Sequence, residues 1–310
     1  MIKKIDFIGD VHGYADQLEE LLIKLGYSLK NGEYSHKSRK VIFVGDYIDR
    51  GPKIRETLQI VKSMVENGNA IALLGNHEYN AICFNTKKKE GDFLRKHSIK
   101  NITQHFEMIQ QFTDYQNEYD SYIEWFKTLP LFYETDNFRV VHACWDNNQI
   151  EYLKNNLIDN QLKNNKTILQ STIKGTELNI AINTILNGKK IKLPNGYEIR
   201  TKDGKIRNKI RIKWWASIKN SNTYNDISVE TIDNLPNIII DKLILSNNYG
   251  KTEKPVFFGH YWLDGKPSLF NDNICCLDYS IAKKGKLVAY RYNFENKLSN
   301  EKFISIAYNK

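Results

Sequence analysis

The sequence predicts an α/β fold, a mainly parallel sheet covered on both faces. Two observations carry this. Three short apolar runs at residues 4–8, 40–44 and 70–74 have the length of fully buried strands. Segments of helical period lie between them, in the order βαβαβ.

In the first segment Leu18, Leu21, Leu22 and Leu25 fall on one helical face, and Gly26 provides a C-terminal cap. Asn31-Gly32 between 27–30 and 33–34 predicts a small hairpin. A second helix is expected over 54–66, with Ile54, Leu58, Val61 and Val65 inward and Gly68 closing it. Residues 100–128 read as helical and aromatic-rich, 138–141 as a strand, and 147–187 as helical in pieces. Further strands are expected at 255–258, 273–277, 286–291 and 303–306. No internal repeat or Pro/Gly-rich linker breaks the chain. One domain, 1–310, with an insertion at about 147–250, is the simplest organisation.

The chain has 310 residues and a formal charge of +9. Its apolar runs are too short to cross a bilayer, and its start lacks the apolar centre of a signal peptide, so a cytoplasmic location is expected. The charge is concentrated. Residues 189–213 hold ten Lys or Arg against two acids, nearly the whole excess. In this segment Pro194-Asn195-Gly196 and Asp203-Gly204 signal turns. From Lys205 to Lys213 every odd position is cationic and the even ones are Ile206, Asn208, Ile210 and Ile212, the pattern of a β-hairpin with a basic face. Four cysteines, Cys83, Cys144, Cys275 and Cys276, show no C-x-x-C spacing, so neither a thiolate zinc site nor a disulfide framework is expected.

Three motifs directly follow the first three strands: Gly9-Asp10-Val11-His12-Gly13, Gly45-Asp46-Tyr47-Ile48-Asp49-Arg50-Gly51, and Gly75-Asn76-His77-Glu78. His142 and His260 end two later strands. Loops at strand carboxyl ends are where α/β sheets build sites, and glycines permit tight turns there. A lone histidine in such a place is usually structural. Four of the seven histidines at comparable places, with Asp10, Asp46 and Asn76, point instead to two divalent transition ions.

Together these blocks resemble the signature of the calcineurin-like metallophosphoesterases, and most of all the phosphoprotein phosphatase branch, which includes bacterial relatives acting on diadenosine tetraphosphate. His142-Ala143-Cys144-Trp145, Lys213-Trp214-Trp215, Gly259-His260-Tyr261-Trp262 and Cys276-Leu277-Asp278-Tyr279 resemble a bacterial subfamily known only as metallophosphoesterases. The likeness runs from about residue 3 to 292. It implies a four-layer αββα sandwich of two mixed sheets. It also implies that Asp10, His12 and Asp46 bind one metal ion, and Asp46, Asn76, His142 and His260 a second. Manganese is the expected ion, with iron, zinc or cobalt as alternatives. His77 is implied as general acid, with Asp49 as its carboxylate partner. Arg50 is implied to pair with phosphoryl oxygens, with Asn76 as a further donor, and the nucleophile to be a metal-held hydroxide. Members usually place a second arginine over the phosphate; Arg211 and Lys213 are the candidates. Asp278 stands where related enzymes have an acid supporting the last histidine.

Other residues read structurally. Glu78 is expected to cap a helix or support the loop, Cys144 to be an inert buried thiol, and Cys275 and Cys276 to face opposite ways. Trp214-Trp215 and Tyr261-Trp262 fit core or base stacking. The resulting expectation is a dinuclear phosphoesterase, with a phosphomonoesterase favoured by Gly-Asn-His-Glu. The alternatives are a dinucleotide tetraphosphate hydrolase, a nucleotide or RNA-end phosphatase and, outside enzymes, a nucleic-acid-binding module using the basic strand at 205–213. The basic hairpin is expected to wall an anionic substrate site.

Overall fold

The computed structural model describes residues 4–200, 206–216, 219, 221–232, 235–245 and 248–309. The first half follows the predicted order closely. Strand β1 (Lys4–Ile8) leads to α1 (Ala15–Lys24), the hairpin β2 (Ser28–Lys30) and β3 (Glu33–Ser35), then β4 (Arg39–Phe43), α2 (Ile54–Glu66), β5 (Ala70–Ala72) and α3 (Asn76–Asn85). The aromatic-rich stretch forms two helices, α4 (Ile99–Gln111) and α5 (Gln116–Lys127). Strands β6 (Phe132–Glu134) and β7 (Arg139–Val141) follow, then α6 (Asn147–Asn156), α7 (Asn165–Ser171) and α8 (Glu177–Asn187).

The basic segment contains β8 (Lys190–Lys192), β9 (Ile199–Arg200), β10 (Ile206–Arg207) and β11 (Lys209–Arg211). After two short helices, α9 (Tyr224–Ile227) and α10 (Lys242–Leu245), the chain re-enters the sheets. It does so with β12 (Val256–Phe258), β13 (Ile274–Cys276), β14 (Asp278–Tyr279), β15 (Lys286–Tyr292) and β16 (Phe303–Ala307). Among the described residues no helix is long and apolar enough to cross a membrane.

Two mixed sheets result. The first runs β14-β15-β1-β4-β5, with β16 also on β15. Strands β1, β4 and β5 are parallel, as the βαβαβ order requires, whereas β15 is antiparallel to β1, β14 and β16. The expectation of a mainly parallel sheet therefore holds only for its centre. Strands β14, β15 and β16 follow one another by short connections, which permit antiparallel pairing, and β15 meets β1 from the far end of the chain. The second sheet runs β13-β12-β7-β6, parallel except for β6 against β7.

The sheets meet face to face. Ile5, Phe7, Ile42 and Val44 pack against Val140, Phe257, Cys275 and Leu277, and the rings of Phe7 and Phe257 stack at 3.7 Å. Opposite faces bury Leu18, Leu22, Leu58 and Val61 from α1 and α2, and Ile182, Ile185 and Trp214 beyond the second sheet. The order is thus helices, sheet, sheet, helices. Cys275 lies in the inter-sheet core and Cys276 in the outer one, as a strand's alternation dictates.

The basic hairpin forms in two pieces. Strand β11 pairs antiparallel with β8, and β10 with β9. The turn at Pro194-Asn195-Gly196 is an excursion within the first strand. The second turn signal, Asp203-Gly204, and Lys205 lie outside the described residues. Ile210 and Ile212 are buried in a small core with Ile191 and Ile227, while Ile206 is exposed, so the apolar face covers only the second half of the strand.

Candidate metal centre

Five loops meet at the carboxyl ends of β1, β4, β5, β7 and β12, along one rim shared by the two sheets. They bring together Asp10, His12, Asp46, Asn76, His77, His142 and His260, all buried. Asp46 lies at the centre. One of its carboxylate oxygens is 3.7 Å from His12 Nε2 and 3.9 Å from His77 Nε2, and the other is 3.4 Å from His142 Nε2. Donor atoms of His12, Asp46 and His77 converge within 4.8 Å of one another, as do those of Asp46, His142 and His260.

The loops reach this arrangement through unusual backbone. His12, Asp46, Asp49, Arg50 and His260 all have positive φ, from 49° to 75°. That region is disfavoured for side chains with a Cβ, and strain of this kind persists only where the surroundings over-determine it. A Cβ on Gly75 would lie 2.2 Å from Asp46 Oδ1, and one on Gly259 1.9 Å from Asp10 Oδ1. These glycines make room for carboxylates. Glu78 holds the loops together: its carboxylate accepts from the backbone N–H groups of Gly75, Asp46 and Tyr47 at 3.0, 2.9 and 2.8 Å. It also closes the first turn of α3 as a capping residue.

The donors suit cations. His12 and His142 turn their Nδ1 atoms to the carbonyls of Ile48 and Val44 at 3.0 and 2.9 Å. Those N–H bonds leave the Nε2 lone pairs facing the cluster. Asp10 Oδ1 and His12 Nε2 are fully buried without a hydrogen-bond partner, which is costly unless a cation satisfies them. His142 Nε2 also faces Asn76 Oδ1 at 3.1 Å. Burial, Asp278 and Asp46 push the Asp10 carboxyl well up, and burial and His77 lower His12 to about 4. Crowded carboxylates and imidazoles make a donor set for divalent ions with oxygen and nitrogen preferences.

Around this cluster the other expected residues take distinct positions. His77 Nδ1 donates to Asp49 Oδ2 at 2.6 Å. Burial opposes a charged His77, but Asp46 and the Asp49 hydrogen bond outweigh it and raise its pKa to about 9. Arg50 is exposed at the mouth, 5.9 Å from the Trp262 ring. Arg211 reaches the cluster, with Nη1 2.7 Å from His260 Nε2. Lys213 lies just past the end of β11 and donates to the Asp226 carbonyl at 3.3 Å. Asp278 accepts from the backbone N–H groups of Trp262 and Ser280 at 2.7 and 3.0 Å. Among the described residues it fixes the backbone beside His260, not the imidazole ring.

Trp214, Trp215 and Tyr261 are core, with Trp214 Nε1 donating to the Ala143 carbonyl. Trp262 is half-buried at the mouth, and Lys283 lies 4.2 Å over its ring. Two neighbours escaped the sequence reading. Lys283 ends a short helical turn, Ile281–Lys283, just past the Cys276-Leu277-Asp278-Tyr279 block and outside it. His105 donates to Asp49 from the middle of α4, and only its type could have marked it.

The chain belongs to the calcineurin-like phosphoesterase family, whose model matches residues 3–293. Phosphoesterases of this family work with a pair of divalent metal ions. Over 141 residues the chain is 36% identical to the asymmetrical bis(5'-nucleosyl)-tetraphosphatase PrpE of Oceanobacillus iheyensis, a match covering 45% of this chain and 55% of that relative. The chain therefore spans about half the length of that curated relative. In fold it is similar to a cold-active protein tyrosine phosphatase (TM-score 0.52, 17% identity, 94% of this chain and 74% of that one). It is likewise similar to a protein serine/threonine phosphatase from Saccharomyces cerevisiae (TM-score 0.51, 15% identity, 100% and 80%).

Proposed function

We propose that this protein is a dinuclear-metal hydrolase of dinucleoside polyphosphates that cleaves the phosphate bridge asymmetrically. The observation that carries the reading is the make-up of the rim. Arg50, Arg211 and Lys283 surround the buried Asp–His–Asn cluster, and Trp262 stands among them. Three cations beside one aromatic suit a chain of several phosphates ending in a base better than a single phosphoryl group. The relative named for this activity supports the same reading.

Asp10, His12 and Asp46 would hold one ion, and Asp46, Asn76, His142 and His260 the other, with manganese the first choice. Such a pair polarises a phosphoryl group and lowers the pKa of water. The chain's own groups do the remainder. Arg50 and Arg211 clamp the phosphoryl oxygens, a planar bidentate task. His77 Nε2 faces the cluster with its other nitrogen on Asp49, so a proton held there can pass to the leaving oxygen. The phosphomonoesterase reading rests on the Gly75-Asn76-His77-Glu78 form and on fold alone, so it comes second.

Protein stripped with chelator and resupplied with Mn²⁺ should convert diadenosine tetraphosphate into ATP and AMP, resolved by ion-exchange chromatography. Two equivalents of ADP would overturn the asymmetry. Release of phosphate from monoesters with the dinucleotide intact would establish the second reading.

A further inference from the structure

We infer that His105 is a positioning residue for the acid pair, holding Asp49 in the orientation that presents the His77 proton. The inference rests on the reading of His77 as general acid. Asp49 is buried, and its two oxygens are taken by two imidazoles from different helices. His77 Nδ1 on α3 lies 2.6 Å from one, and His105 Nδ1 on α4 lies 2.9 Å from the other.

A directional chain continues behind His105. Its Nε2 is 3.0 Å from the Tyr119 hydroxyl on α5, and Asn85 Nδ2 donates to that same hydroxyl at 2.7 Å while also donating to the Ala81 carbonyl at 2.8 Å. Only one set of directions satisfies every group. Asn85 donates to the Tyr119 oxygen, the Tyr119 hydroxyl proton goes to His105 Nε2, and His105 Nδ1–H goes to Asp49. The hydroxyl therefore fixes the His105 tautomer that can donate. His105 itself is buried, with the Phe84 ring 5.3 Å away.

The consequence is geometric. A carboxylate bonded on one oxygen alone can turn about its side-chain torsion and carry the His77 ring with it. Bonded on both, it holds the ring in one plane against the cluster. Three helices that share no motif are thereby tied to one catalytic proton.

The test is the dependence of rate on the leaving group. A nitrophenolate departs with little help from an acid, whereas a phenolate needs the proton. Esters of a nucleoside 5′-monophosphate with p-nitrophenol and with phenol would be compared in the Mn²⁺-loaded enzyme, or the same two alcohols as simple phosphates if monoesters prove to be the substrate. His105→Leu should lower kcat about 10-fold or more on the phenyl ester and at most about 3-fold on the nitrophenyl ester, with metal content unchanged. His105→Asn, which can keep an N–H at the Nδ1 position, should restore most of the difference. If His105→Leu fails to fold, Tyr119→Phe should show the same selectivity more weakly. Equal losses on both esters would overturn the inference and leave His105 a packing residue. His77→Asn serves as the control. If that variant lacks leaving-group selectivity, the general-acid reading falls, and the role of His105 falls with it.

Discussion

Arg211 Nη1 donates to His260 Nε2 across 2.7 Å. This contact joins the basic hairpin to the buried cluster, and it selects one cation from the many that the hairpin carries. Arg211 Nη2 is held by Glu230 at 2.9 Å, so the guanidinium is fixed from behind while its other nitrogen faces the site. Replacing Arg211 by Ala should lower kcat/KM about 10- to 100-fold, the range for a charge-assisted contact to phosphate. Arg211→Lys should recover little, because an ammonium cannot reproduce the planar fork. Steady-state kinetics on dinucleotide and monoester would settle this, and unaltered kinetics in Arg211→Ala would detach the hairpin from the chemistry.

Asp46 lies within reach of three imidazoles, so its loss should affect both ion positions. Asp46→Asn is expected to abolish activity and to reduce bound metal measured by elemental analysis. Mn²⁺ at about 100 times its Kd should stabilise the unsubstituted protein by about 2.7 kcal/mol through mass action, visible as a rise in Tm. The variant should lose most of that rise. Retention of two equivalents of metal would contradict the central role given to Asp46.

Gly75 is packed against the carboxylates it serves. A methyl group there would sit 2.2 Å from Asp46 Oδ1 and 2.6 Å from Glu78 Oε2. Gly75→Ala should cost about 1–3 kcal/mol in stability, as overpacking does, and displace Asp46 far enough to weaken metal binding. Chemical denaturation with and without Mn²⁺ measures both effects. A variant with normal stability and normal metal affinity would mean that the loop relaxes freely.

Lys283 sits 4.2 Å over Trp262 at the mouth. Lys283→Gln should raise KM for a tetraphosphate bridge several-fold and leave KM for a small monoester nearly unchanged, since the proposed clamp of Arg50 and Arg211 would by itself hold a single phosphoryl group. Equal effects on both substrates would place Lys283 outside the polyphosphate path.

Acid stability should depend on Glu134. Burial would raise its pKa, but hydrogen bonds from Lys154 and Arg139 at 2.5 and 2.8 Å lower it to about 2 from an ordinary value of 4.5. A depressed carboxylate stabilises the fold fully above pH about 4.5, and that contribution is lost as pH falls toward about 2. Glu134→Gln should remove on the order of 1 kcal/mol at neutral pH, allowing for solvent screening, and flatten the pH dependence in this window. Urea titrations at pH 3, 4 and 7 provide the comparison.

Legibility in the sequence followed the range of the interaction. The helix over 54–66 was readable because its apolar spacing and closing Gly68 are local. The motif residues were readable because each stands at the end of an apolar strand, a place defined within a few positions. Arg211 and Lys213 could not be separated, since alternation puts them on one expected strand face while long side chains choose partners from the whole neighbourhood. His105 was invisible for a related reason: it is 56 positions from Asp49 and meets it only through helix packing.

By itself the sequence determined the parallel centre of the first sheet, the set of loops that carry Asp, His and Asn, and the concentration of charge at 189–213. These depend on period, composition and turn residues, which act over short distances. The tertiary structure decided which atoms meet: Asp46 among three imidazoles, Arg211 on His260, Lys283 on Trp262, and His105 behind Asp49. It also decided that β15 returns antiparallel beside β1. Such pairings depend on left-handed backbone at a few positions and on packing between segments remote in the chain, and neither is written in any local pattern of residues.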